Sequence, residues 1–271
     1  RPEHLAVAER LNADLGGRLT VIQTGDNGPL SIGELEKHTP VRLEPLPDET
    51  DGFYLFSSGS TGRSKIVPWT HGAFLRAGEH ASAVSRTLPT DRSLNGLPSH
   101  TAYGFLTAVG GDTFAGATTV FWSDPAPIMM ARARMLAAVE RERITILPGV
   151  PFLFDLLAGV TDNVDTSSVR TASSGGVAVK KPTFDRFLER FGLPIRQALG
   201  MTEAMLITIN TDDDPISTWD SVGRAEGDAS VEIVPTPEAP TPEVGEVFIK
   251  TPGMTRGYKD VDPEVNAVFT R

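Results

Sequence analysis

The feature that most constrains this chain's fold is the alternation of short strand-like and helical runs between residues 65 and 204. "THGAFLRAGEHASAVSR" (70–86) reads as a helix whose first unpaired amides are capped by Thr70. "RSLNGLP" leads to "AYGFLTAVGGDTFAGA" and then to the apolar "TTVFW" (118–122). In "PIMMARARMLAAVERER" (127–143), Ile128, Met135, Leu136 and Val139 share one helical face. The three methionines Met129, Met130 and Met135 there read as core. Strand "ITILPGV", helix "PFLFDLLAG" and strand "SVRTASSGG" follow, then the amphipathic "KPTFDRFLERFG" closed by Gly192, then "PIRQALGMTEA", a strand running into a loop. Such βα alternation predicts an α/β fold with a mainly parallel sheet.

Both flanks differ in texture. Residues 4–14 read as a short helix, "LTVIQTG" (19–25) as a buried strand, and "DNGPLSIGELEKH" as a turn and short helix. "RLEPLPDETDG" (42–52) is a Pro- and acid-rich linker. After residue 210 helices give way to short alternating strands, with "ASVEIVP" and "GEVFIK" as a hairpin across a Pro-rich connection. The expected organisation is an α/β core over 1–210 and a β-rich subdomain over 211–271.

Composition removes several classes of function. A net charge of −10 argues against nucleic acid, which needs clustered Lys and Arg. Having no cysteine, the chain has no disulfide, thiolate zinc site or cysteine nucleophile. No apolar run reaches the ~18 residues of a membrane span and no secretory leader is evident, so a cytoplasmic location is expected.

"SSGSTGRSK" (57–65) lies between two strand-like runs, Phe53–Phe56 and Lys65–Trp69. Glycines without Cβ atoms let consecutive backbone amides converge on one oxyanion. Hydroxyls add donors without bulk, and one lysine adds a point charge. The loop is not a Walker A motif, because Ser64 stands where glycine must precede the lysine. Composition alone leaves a phosphate site and a soft hairpin tip about equally open.

The loop, together with further segments in order along the chain, resembles the adenylate-forming enzymes: acyl- and aryl-CoA synthetases, adenylation domains and luciferases. "SSGSTGRSK" is similar to that family's [ST]-[ST]-G-[ST]-T-G-x-P-K loop, with Ser64 replacing proline. "THGAF" resembles its T-H-x-N segment, and "LPSHTAYGF" (97–105) its substrate-pocket segment. "SVRTASSGGVAV" (168–179) resembles its adenine loop and "LGMTEA" (199–204) its Y-G-x-T-E motif. "SVGRA" (221–225) and "GEVFIKTPGMTRGY" (245–258) resemble its G-x-x-G-R-P and G-E…G-Y motifs.

The resemblance implies the large domain of such an enzyme: mixed and parallel sheets with helices on both faces, plus a small barrel-like β subdomain. It implies attack of a carboxylate on the α-phosphate of ATP, giving an acyl-adenylate and pyrophosphate, with CoA or a carrier-protein phosphopantetheine as acceptor. Ser58, Gly59, Ser60, Thr61, Gly62 and Lys65 would hold the β- and γ-phosphates, Thr202 the α-phosphate, and Glu203 Mg2+. Gly176, Val177, Ala178, Leu199, Gly200 and Met201 would line the adenine. His100, Tyr103, Gly104 and Gly175 would line the acyl pocket, while His71 reads as a helix-start residue.

Departures from the pattern shape these expectations. Leu199 replaces an aromatic that stacks on adenine, a contact worth about 1–2 kcal/mol. No aspartate in "LPSHTAYGF" pairs with an α-amino group, and Ala102 disfavours a dihydroxybenzoate. The expected substrate is an aryl or short-to-medium acyl acid. The expectation is also that an N-terminal portion and the C-terminal domain lie outside these residues. Two rivals remain. A non-catalytic nucleotide- or partner-binding module is supported by Leu199 and opposed by Lys65, Thr202 and Glu203. A P-loop kinase is opposed by the lysine spacing.

Overall fold

The computed structural model describes residues 2–18, 31–57, 64–241 and 243–270. The strand expected at 19–25 and the loop residues Ser58, Gly59, Ser60, Thr61 and Gly62 lie outside the described residues.

The chain forms two compact units, residues 1–45 and 46–271. The first holds α1 (Pro2–Asp14) and the single turn α2 (Ile32–Leu35). The Ser31 hydroxyl starts α2 by accepting the Glu34 amide at 3.3 Å.

The second unit opens with the antiparallel hairpin β1 (Asp51–Ser57) and β2 (Lys65–Thr70), in which Ser57 pairs with Lys65 at the end next to the connecting loop. α3 (His71–Val84) follows directly, capped by the Thr70 hydroxyl on the Ala73 amide at 3.2 Å. Next come β3 (Arg92–Asn95), α4 (Ala102–Phe105), a π-helical stretch Leu106–Gly111, α5 (Asp112–Ala115) and β4 (Thr118–Phe121). The series continues with α6 (Ile128–Arg141), β5 (Ile146–Gly149), α7 (Pro151–Ala158), β6 (Thr171–Ser174), α8 (Lys181–Phe191), β7 (Ile195–Met201) and β8 (Met205–Ile209). The hairpin β9 (Ser230–Pro235) and β10 (Gly245–Lys250) stands as a separate antiparallel pair, followed by the short α9 (Pro263–Asn266).

Six strands form one sheet in the order β4-β3-β5-β6-β7-β8, parallel except for β8. The expected α/β class and mainly parallel sheet are therefore present. The strand period of two gives the sheet unlike faces. Leu94, Leu147, Ala172 and Ile195 point into a core built with Met135, Leu136 and Val139 of α6, Leu153, Phe154 and Leu157 of α7, and Phe184 and Phe187 of α8. Ile128 packs partly against it, as its shared face with Met135 requires, whereas Met129 and Met130 are exposed rather than core. On the other face a second core joins the β1–β2 hairpin to α3 through Leu55, Val67, Trp69, Ala73, Ala77 and Ala81, with Leu106 and Met205. That core fixes the hairpin, and so Lys65, against the sheet.

The helical run 102–115 lies close along α3. A Cβ on Gly110 would stand 2.7 Å from a Leu106 methyl, and Phe74 and Gly78 of α3 already close the site at 3.4 and 3.6 Å. Glycine there permits close helix contact that a larger residue would push apart. No helix among the described residues is long and apolar enough to cross a membrane.

Candidate active site

In open parallel sheets the strand carboxyl ends and the turns after them form the natural ligand crevice. Here β6 ends in the Gly175–Gly176 turn, and β7 ends at Met201 just before Thr202 and Glu203, which turn the chain back into β8. A cavity of about 490 Å3 opens at this edge and runs down the sheet face opposite the α6–α8 core. Its wall includes Ser57, Lys65, Tyr103, Gly175, Gly176, Gly200, Met201, Thr202, Glu203 and Tyr258.

Three segments meet at the mouth. The Trp69 indole N–H donates to the Thr202 carbonyl at 3.1 Å, tying β2 to the turn after β7. The Thr255 amide donates to the Glu203 carbonyl at 2.9 Å, and the Thr255 hydroxyl donates to the Pro68 carbonyl at 2.7 Å. The Lys259 amide donates to the Ile66 carbonyl at 2.9 Å. Side chains brought together by this frame form a chain of contacts. The buried Glu203 accepts the Tyr258 hydroxyl on Oε1 at 2.7 Å, and Lys65 Nζ lies 4.5 Å from the centre of the Tyr258 ring.

Burial, then the hydrogen bond to Glu203 and its charge, push the Tyr258 phenol well above its ordinary range. Tyr258 therefore stays a donor, and it leaves Glu203 oriented with its second oxygen free of hydrogen bonds from the described residues.

Tyr103 lies deeper, its hydroxyl donating to the Ser173 carbonyl at 3.3 Å, and burial raises its pKa as well. A Cβ on Gly175 would stand 3.3 Å from the Tyr103 ring, so glycine there lets the ring lie flat along the wall.

Of the residues singled out in the sequence, Lys65, Tyr103, Gly175, Gly176, Gly200, Met201, Thr202 and Glu203 line one cavity. Val177 and Ala178 are exposed beyond the Gly176 turn, and Leu199 falls between the lining residues Ala198 and Gly200 of β7; none of the three is on the wall. His100 is exposed and also off the wall. Gly104 is buried behind it, its carbonyl accepting Asn95 Nδ2 at 3.0 Å. Tyr258, absent from the site residues read in the sequence, closes the segment 245–258 whose pattern had already been noted. Asp112, also on the wall, is the single acid in the otherwise uncharged run "LTAVGGDTFAGA".

Among the described residues no group of three or more His, Asp or Glu side chains gathers to hold a metal. The oriented Glu203 carboxylate on the cavity wall nonetheless fits the donor set Mg2+ takes with phosphates, one or two carboxylates plus phosphate oxygens and water.

The sequence pattern of the AMP-binding enzymes matches residues 3–259. A feruloyl-CoA synthase of Amycolatopsis sp. is 29% identical over 265 residues, covering 95% of this chain and 50% of that protein. A 3-hydroxybenzoate–CoA ligase of Aromatoleum sp. is 28% identical over 240 residues, covering 84% of this chain and 43% of that protein. The chain thus spans about half the length of these curated relatives. The anthranilate CoA ligase AuaEII, solved with anthranoyl-AMP, superposes with a TM-score of 0.81 at 20% identity, covering 98% of this chain and 52% of that one. That likeness shows the fold. Through the match over residues 3–259, the chain belongs to the AMP-binding enzyme family.

Proposed function

We propose that this chain carries the nucleotide and acid site of an acid–thiol ligase, which joins a carboxylic acid to AMP with release of pyrophosphate and then passes the acyl group to CoA. The observation that carries the reading is the meeting of Lys65, Thr202 and Glu203 at the mouth of one deep cavity, with Tyr258 fixing the carboxylate. The CoA-ligase names of the relatives support CoA as the acceptor, with a carrier-protein thiol as the other candidate. Feruloyl and 3-hydroxybenzoate in those names suit an aryl or medium acyl acid.

In this reading the carboxylate lies on the cavity side of the packed Tyr103–Gly175 wall, facing Thr202. Lys65 supplies positive charge where the phosphates gather it, and Thr202 donates its hydroxyl to the α-phosphate. The cavity keeps bulk water from the mixed anhydride, and Lys65 meets the charge of the departing pyrophosphate. Bound Mg2+, held by Glu203 and phosphate oxygens, would offset the charge of the triphosphate.

Acid-dependent exchange of pyrophosphate into ATP, run over a panel of aryl and acyl acids, tests this. The expected result is exchange with at least one acid, lowered at least about a hundredfold by Glu203→Ala. ATP binding with no exchange for any acid would favour the non-catalytic module instead.

A further inference from the structure

The cavity does not end where the adenylate chemistry would need it to end. Along β6 its wall runs from Thr171 to Gly175, four residue steps, or roughly 13 Å at ~3.3 Å per step. At the amino edge of the sheet the strands present one row in register: Thr119, Ser93, Ile146 and Thr171. Ser93, Ile146 and Thr171 of this row line the cavity, as do Ser85 and Thr87 just after α3 and Thr107 of the helical run 102–115. On the opposite face the neighbouring residues are Leu94, Leu147 and Ala172. The far end of the cavity thus sets several hydroxyls and Asp112 beside the apolar Ile146 and Ala81.

Asp112 sits over that row, 5% exposed and on the cavity wall. Thr119 donates to its Oδ2 at 2.8 Å, and the Ser93 hydroxyl also bonds it. A carboxylate offers about four acceptor sites, so two hydroxyls leave capacity unused. Among the described residues no Lys or Arg pairs with it. Buried carboxylates are costly without a cation or a full set of donors. The other buried acid near this edge, Asp91, has Arg170 and the Leu88 amide. Asp112 has instead a cavity in front of it. Burial first, and then the charge of Asp91, push its pKa up, so a donor arriving from the cavity would relieve a strain already present.

Resting on the ligase reading above, we propose that the acid taken by this site is elongated and carries a hydrogen-bond donor, hydroxyl or ammonium, at the end away from its carboxylate, and that Asp112 selects it. Ser93 and Thr119 hold the Asp112 carboxyl in place, while Thr171, two strands from Ser93 with Ile146 between, adds a hydroxyl residue to the same cavity wall.

The test is calorimetric binding of acyl-sulfamoyl adenosines of matched length ending in hydroxyl, ammonium or methyl, with AMP titrated separately. The wild-type chain is expected to bind at least one donor-ending ligand about tenfold or more tighter than its methyl partner, the factor for leaving one buried acceptor unsatisfied. Which of the two wins tells hydroxyl from ammonium. Asp112→Asn, nearly isosteric, is expected to bring an ammonium ligand's advantage below about threefold. Equal or tighter binding of the methyl ligand by the wild type, with AMP bound, overturns the proposal and leaves the ligase reading standing. An unchanged ammonium preference in Asp112→Asn, or an unchanged hydroxyl preference in Asp112→Leu, which removes the acceptor, overturns it too. Absence of binding by AMP and by every analogue overturns both.

Discussion

At the residue scale, two buried carboxyls at the amino edge of the sheet show how neighbours decide cost. Burial alone would raise the Asp91 carboxyl, but hydrogen bonds from Arg170, the Leu88 amide and Thr145 outweigh it and hold its pKa below the ordinary value. Arg170 grips both Asp91 oxygens and also donates to the Arg86 carbonyl at 2.9 Å. A depressed folded pKa contributes stability that is full above the unfolded value, near pH 4, and lost as pH falls through the lower folded value. Thermal melts between pH 3 and 7 should therefore show an acid-side decline that Asp91→Leu flattens, at the expense of stability at pH 7. An equal decline in the variant would assign it to other carboxyls. The site tyrosine repeats the lesson with opposite sign: Tyr258, buried and with its hydroxyl on the Glu203 carboxylate, is held protonated.

At the scale of elements, what the sequence made legible was what local chemistry decides. Helix α3 begins where Thr70 can cap it, and the structure has that hydrogen bond. Thr70→Ala should cost about 1 kcal/mol in urea unfolding, with an unchanged denaturant slope. A loss under a few tenths would mean the β2–α3 junction is held by packing alone. The periodic helix at 128–141 and the β9–β10 hairpin were equally readable, because their apolar spacing is local. The run 102–115 was not. Gly104, Gly110 and Gly111 disfavour a helix by propensity, and only close packing against α3 overrides that preference. Strand β8 was missed because "MLITI" follows a tight turn too short to announce a new element. Motif residues on strand ends came together in the cavity, whereas Asp112 became visible only once the register of β3 and β4 was known.

At the scale of the molecule, the sheet separates two tasks. One face is closed by α6, α7 and α8 with fully buried Phe154, Phe184 and Phe187; the other is open along the cavity. Phe187→Ala should remove about 3–5 kcal/mol of stability, a large part of a typical domain's 5–15 kcal/mol. Below its lowered melting temperature it should bind AMP within about twofold of the parent, since it packs in the α6–α8 core against Phe154 and Phe191 and does not line the site cavity. A large loss of AMP affinity in folded protein would mean that the two faces are coupled through the sheet.

The same separation gives the protein a natural optical reporter. Trp69 is wholly buried in the hairpin core, yet its indole N–H ends on the carbonyl of Thr202 at the mouth of the cavity. The remaining tryptophans, Trp122 and Trp219, pack with the α6–α8 core on the far face. An indole's emission shifts with the field along its N–H bond, so any charge settling beside Thr202 tunes one fluorophore and leaves the others as an internal reference. The site can thus be watched filling by its own light, without a label.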